Sequence, residues 1–209
     1  MKVTFLEGPV GTSLSKHYFA NGETQPYPHV KDVTSYEHSI QVSQLGIEQL
    51  ENLIRSHGSK GDCMLKGALR RPLVNESRAQ KSDRLALNGL LVLDFDAITL
   101  PRQIVRAKKL NSSDVQLIAE QIIADLPTDL HDVSYIAPAS ASLGLKGNRI
   151  SMHIFMLLTV PMPPKSIKLW LQNLNYAVPV FKDQLELSAN GQSLKYPVDV
   201  SVADNSKLI

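Results

Sequence analysis

The sequence predicts a mixed fold of α+β or α/β type, built on one central sheet. Three observations predict it. Residues 43–54 and 112–125 carry apolar side chains at helical spacing. Residues 89–95 form a near-continuous apolar run opened by a glycine, the pattern of a buried strand. Residues 149–155 alternate polar and apolar side chains with a period of two.

Taken in order, residues 1–6 alternate as a strand and stop at the Gly8-Pro9 break. Residues 21–28 are Gly-, Pro- and polar-rich and read as loop. The stripe Leu45, Ile47, Leu50 and Ile54 predicts a helix, with Gly58 placed to stop it. Residues 62–69 read as a short strand, followed by a basic loop containing Pro72. The apolar run ending at Phe95 predicts a buried strand that delivers Asp94 and Asp96 at its C-terminal end. Ser112 or Ser113 caps a helix whose face is Val115, Ile118, Ile122 and Leu126. Strands follow over residues 133–137 and 150–158, joined by a Ser/Gly/Lys loop over 140–148. Pro164 opens a helix with Ile167, Trp170, Leu171 and Leu174 on one face. Residues 181–187 suggest a further helical turn or two, and residues 198–202 a closing strand. Since the end of the sequence follows that strand almost directly, a fragment of a longer protein is expected.

Composition narrows the classes. The apolar run over residues 154–162 is far shorter than the roughly 20 residues of a membrane span. No charged-then-apolar leader with a small-residue cleavage site opens the sequence. One cysteine, Cys63, excludes an internal disulfide and a cysteine-rich zinc site, so no zinc is expected and a cytoplasmic location is (host cytoplasm if the source is viral). Charge is unevenly spread. Between residues 55 and 84 eight bases face three acids, and residues 102–109 add four bases and no acid. Elsewhere ten bases are set against seventeen acids. Such concentration beside Asp94 and Asp96 suggests a bound polyanion, although solvated loop charge has the same appearance.

In Leu93-Asp94-Phe95-Asp96 the two carboxylates lie two residues apart, and so on one face of a strand. Paired carboxylates repel, and cations relieve that repulsion; Mg²⁺ suits a few carboxylates with phosphate and water. The bland alternative is a strand running into an Asx turn. Arg149, Ser151 and His153 share the other face of their strand from Ile150, Met152 and Ile154. A cation, a hydroxyl and an imidazole in one row suit a chain of phosphates. Taken alone, the same row is equally an edge strand facing solvent. Asp199 sits on a short apolar stretch, and Lys207 follows eight residues later.

An Asp-x-Asp at a strand end, then Ser-x-His on a strand, then Asp on a later strand resembles the archaeo-eukaryotic primase superfamily. The likeness is to the primase-polymerases of phages, plasmids and eukaryotes, and it spans roughly residues 63–209. Lys66-Gly67, Arg70, Arg71 and Arg78, and the loop over residues 140–144, look like the phage and plasmid members. The resemblance implies a two-lobed fold: an N-terminal α/β lobe over about residues 1–85 packed on an RNA-recognition-motif-like catalytic sheet over about 86–209. It implies DNA primase and DNA polymerase activity, joining NTPs or dNTPs on a single-stranded DNA template by a two-metal mechanism. Asp94, Asp96 and Asp199 would hold two Mg²⁺ or Mn²⁺ ions. Arg149, Ser151, His153 and Lys207 would seat the triphosphate, with Lys207 standing where an Arg is more usual. Lys66, Arg70, Arg71, Arg78, Arg102 and Arg106 would carry nucleic acid. Expected partners are template, primer, nucleotides and a replicative helicase or C-terminal accessory domain, with no membrane.

Two other readings compete. The run ending Leu93-Asp94-Phe95-Asp96 also resembles the first motif of haloacid-dehalogenase phosphatases, with Asp94 as nucleophile. That family places Gly-Thr directly after its second Asp, whereas Ala97-Ile98-Thr99 stands here. A non-catalytic nucleic-acid-binding replication domain would use the basic stretches but leave the aspartates unexplained. The position of Asp199 in space discriminates: polymerase chemistry requires it beside Asp94 and Asp96.

Overall fold

The computed structural model describes residues 1–19, 21, 23–99, 114–145 and 149–209. Mixed α/β structure is present, with four α-helices and several small sheets among the described residues. The chain forms two compact units. The first is made of residues 1–91, 157–166 and 201–209; the second of 92–156 and 167–200.

In the first unit β1 (Lys2–Glu7) is followed by a small ladder of β2 (His17–Tyr18) and β3 (Thr24–Gln25). β4 (Asp32–Ser39) then pairs antiparallel with β1, setting Phe5 opposite Tyr36 and Val3 opposite His38. α1 (Gln44–Lys60) starts at Ser43, whose Oγ accepts from Gly46 N at 3.2 Å. It runs past the predicted stop at Gly58. Gly61, at φ 81°, ends it instead, its N–H bonding to the Gly58 and His57 carbonyls. Ile47, Leu50 and His57 are buried, whereas Leu45, expected on the apolar stripe, is exposed. The His57 ring stacks on Phe5 at 4.1 Å between centroids, donates through Nδ1 to buried Asp62 at 2.6 Å, and meets His38 Nε2 at 3.0 Å. Helix and sheet are thus joined by both an apolar and a polar contact.

The strand expected over residues 62–69 is broken into β5 (Cys63–Leu65) and β6 (Ala68–Leu69). Between them Gly67 lies so close to Asn205 that an added Cβ would sit 2.4 Å from that side chain. β7 (Glu76–Ser77) completes a four-stranded sheet of order β5-β1-β4-β7, and β8 (Ser82–Asp83) pairs with β6. Leu6, Leu14, Val33, Cys63, Leu65 and Leu73 form a core cluster on this sheet.

β9 (Asn88–Ile98) passes from the first unit into the second. α2 (Val115–Asp125) buries Ile118, Ala119, Ile122 and Ile123, with Asp114 at its N-cap. Ser112 and Ser113, expected as caps, lie outside the described residues. Of residues 133–137 only β10 (Tyr135–Ile136) pairs, antiparallel to β11 (Ile150–Met162). Pro138, without an N–H, follows directly. The sheet order is β10-β11-β9. α3 (Pro164–Ala177) buries Ile167, Leu171 and Leu174, as the helical stripe predicts. α4 (Pro179–Lys182) is a single turn, followed by the hairpin of β12 (Glu186–Leu187) and β13 (Leu194–Lys195). The predicted strand over residues 198–202 is not one. Val198 makes one antiparallel bridge to Phe95, and Val200–Ala203 is a 3₁₀ turn. Pro197 supplies no N–H, so pairing does not extend on that side.

Candidate active site

Asp94 and Asp96 project from β9 between buried Leu93, Phe95 and Ile98. Phe95 anchors the strand by packing on Phe181, 5.7 Å between ring centroids. Asp94 is half-buried and Asp96 is exposed. Asn88 to Leu93 are all buried, and burial alternates only from Leu93 to Asp96; beyond it Ala97, at φ 61°, shifts the phase by one residue, so that Ile98 turns inward in its place.

β11 brings Ser151 and His153 to the same place. His153 Nε2 lies 3.2 Å from Asp94 Oδ1. Ser151, 1% exposed, donates from Oγ to Asp96 Oδ1 at 3.4 Å and accepts from Ala97 N at 3.1 Å. Each β9 carboxylate therefore has a polar β11 side chain against it, and the Ser151 hydroxyl spends its one proton there. Asp199 joins through the backbone: its N–H donates to the Asp94 carbonyl at 2.9 Å, next to the Phe95–Val198 bridge.

Sequence reasoning missed the residue that holds this junction. Asn175 of α3 is fully buried; its Oδ1 accepts from Val198 N and its Nδ2 donates to Val198 O, both at 3.0 Å. A second Nδ2 bond reaches Leu171 O at 2.8 Å. Gln184 clamps Thr99 in the same manner, accepting from its N–H and donating to its carbonyl, each at 2.7 Å. The only legible signal for Asn175 was a polar residue one position beyond Leu174 on a helix face that is otherwise apolar. Lys195 and Tyr196 also went unremarked. With Asp96, Thr99, Arg149, Asp183, Gln184, Glu186 and others they line a cavity of about 210 Å³.

The remaining predicted residues that the structure describes belong to the first unit. Lys207 belongs to the first unit, where its Nζ donates to Ser201 Oγ at 2.7 Å. Lys66 is 4% exposed and donates to the Leu90 carbonyl, so it presents no charge to a nucleic-acid backbone. Arg70 is exposed; Arg71 is paired through two bonds with Glu76; Arg78 donates to the Ser206 carbonyl at 3.1 Å. Arg102 and Arg106 lie outside the described residues.

Asp94, Asp96 and Asp199 offer oxygen donors, the chemistry that Mg²⁺ and Mn²⁺ select. Among the described residues no three His, Cys, Asp or Glu side chains are arranged as a ready-made cage. Mg²⁺ is commonly held by one or two carboxylates plus substrate phosphates and water, and the β9 pair fits that mode. No protein-family model, no curated protein and no solved structure matches the chain.

Proposed function

We propose that this chain is a template-dependent nucleotidyltransferase, a DNA primase-polymerase of the archaeo-eukaryotic primase type, acting with Mg²⁺ or Mn²⁺. One observation carries the reading. Asp199 is hydrogen-bonded through its backbone to Asp94, while Ser151 and His153 contact the carboxylates of Asp96 and Asp94. The three short motifs, separate in sequence, thus meet in one unit of the fold. A haloacid-dehalogenase site assigns no role to Asp199 at that place, and a binding-only domain assigns none to any of the three.

In this reading Asp94 and Asp96 bind the cations from one strand face, with Asp199 as third carboxylate. Divalent cations bound there would lower the pKa of the attacking hydroxyl and neutralise the pyrophosphate that leaves. His153 and Ser151 keep the two β9 carboxylates oriented, which limits the reorganisation needed when substrate arrives. Arg149, exposed at the cavity beside Asp96, contributes charge to the triphosphate. The exposed arginines of the basic stretch, Arg70 foremost, would hold template backbone with salt-sensitive affinity.

The test is incubation with Mg²⁺ or Mn²⁺, a single-stranded DNA template with and without primer, and labelled NTPs or dNTPs. Template-dependent products are expected from the wild type. Asp94→Ala, Asp96→Ala and Asp199→Ala should each reduce the rate by about a hundredfold or more. Undiminished synthesis by Asp199→Ala, or no product from the wild type under any combination, overturns the reading.

A further inference from the structure

The hairpin β12–β13 is attached to β9 on both sides of Asp96. Before the hairpin, Gln184 is bonded to both backbone groups of Thr99. After it, Val198 bridges Phe95 and Asp199 bonds to Asp94. The cavity of about 210 Å³ is lined by residues of this frame, Asp96, Thr99, Gln184, Glu186 and Lys195 among them. Its size is below the roughly 300–1,000 Å³ of sites that engulf a whole drug-sized ligand. It suits the charged tail of a nucleotide better than the whole.

Charge selects the form of that tail. Arg149 and Lys195 line the cavity together with the carboxylates of Asp96, Asp183 and Glu186. Acids outnumber bases, so a bare polyphosphate is repelled while its divalent-cation complex is not. Lys195 stands directly across the hairpin from Glu186, Nζ to Oε2 3.8 Å, with both side chains more than half exposed. An ion pair that long and that wet holds weakly. A phosphate oxygen, offering a shorter charge-assisted bond, can take the ammonium from it.

We infer that Lys195 is a phosphate-binding residue of the cavity beside Asp96, restrained by Glu186 when no ligand is bound and released to the polyphosphate when a nucleoside triphosphate arrives as its divalent-cation complex. This rests on the nucleotidyltransferase reading and adds to it a cation from the hairpin, outside the three motifs. It also makes Glu186 a determinant of affinity.

The test is calorimetric titration of the full chain with ATP, dATP and inorganic tripolyphosphate, each with Mn²⁺ and each repeated in EDTA. Wild type should bind all three with Mn²⁺ and none in EDTA. Lys195→Ala should weaken binding about tenfold, and Glu186→Gln should tighten it severalfold. Because Lys195 is exposed, its removal leaves the fold intact, which unchanged thermal unfolding verifies. Tripolyphosphate binding as tight as ATP shows that the phosphates alone are gripped. Nucleotide affinity unchanged within twofold in Lys195→Ala, or binding that persists in EDTA, overturns the inference. Failure of the two ideas is distinguishable. Lys195-dependent binding without templated products refutes only polymerase activity, and templated synthesis with an unaltered nucleotide KM in Lys195→Ala refutes only the cavity assignment.

Discussion

Ala97 holds a left-handed φ of 61° although its Cβ disfavours that region, a cost of about 1 kcal/mol or more. In that conformation its N–H donates to the Ser151 hydroxyl at 3.1 Å. A β-branched residue pays more in that conformation than alanine does. Ala97→Val is therefore expected to lose about 2 kcal/mol in urea unfolding, and Ala97→Gly to stay within about 1 kcal/mol of wild type. A valine variant as stable as wild type would contradict the backbone conformation. At the other end of β9, burial lowers the Lys66 ammonium from its ordinary 10.5 to about 7, and the Cys63 thiol is pushed from 9.0 up to about 12. Between pH 7 and 10.5 the unfolded chain carries the Lys66 proton and the folded chain does not, so stability rises with pH there. The Cys63 contribution opposes it once the unfolded thiol ionises above pH 9. Between pH 7 and 9 wild type should gain up to about 1.4 kcal/mol per pH unit relative to Lys66→Met. Parallel pH profiles for the two proteins would show that Lys66 stays charged in the fold.

Asn175 shows how a helix can position a strand it does not pair with. α3 lays Ile167, Leu171 and Leu174 into the core, and Asn175, on the same buried side, replaces a missing β partner for Val198. Substituting Asn175→Leu keeps volume but strands the N–H and C=O of fully buried Val198. A loss of about 2–3 kcal/mol is expected by thermal or urea unfolding. A loss below about 0.5 kcal/mol would mean that Val198 finds other partners. The elements with many local signals were legible in sequence: α1 from Ser43 onward, α3 from Pro164, and the apolar β9. Boundaries set by a distant partner were not. Gly58 looked like the stop of α1, yet the left-handed turn falls at Gly61, where the N–H reaches back to Gly58 O and His57 O. Residues 198–202 had strand composition, but among the described residues Val198 makes a single strand bridge, to Phe95, and the chain then coils.

Across the whole molecule the chain passes between its two units four times, so neither is a contiguous stretch of sequence. The last residues complete the first unit: Leu208 bridges Leu65, Lys66 N bonds to Lys207 O, and Met64 and Ile209 exchange two bonds at 2.9 Å. A piece comprising residues 86–209 would expose that segment without β5 to receive it. It is expected to lack a cooperative unfolding transition, whereas the full chain should show one by calorimetry. A sharp transition in the piece would mean that residues 201–209 contribute little. Charge at this scale is also revised by structure. Of the four bases grouped upstream of β9 as one polyanion surface, Lys66 is buried and Arg71 is neutralised by Glu76, which leaves a smaller basic face than composition suggests.

By itself the sequence determined which residue types could do chemistry and on which strand face they stand, because period-two alternation and capping are local properties of the chain. Asp94 with Asp96, and Ser151 with His153, were legible for that reason. Only the tertiary structure decided that these pairs touch, that Asp199 is bonded to the backbone of Asp94, that Asn175 holds Val198 and Gln184 holds Thr99, and that Lys195 lines a cavity with Asp96. Such meetings depend on hydrogen bonds between distant residues, and single-chain periodicity carries no record of those partners.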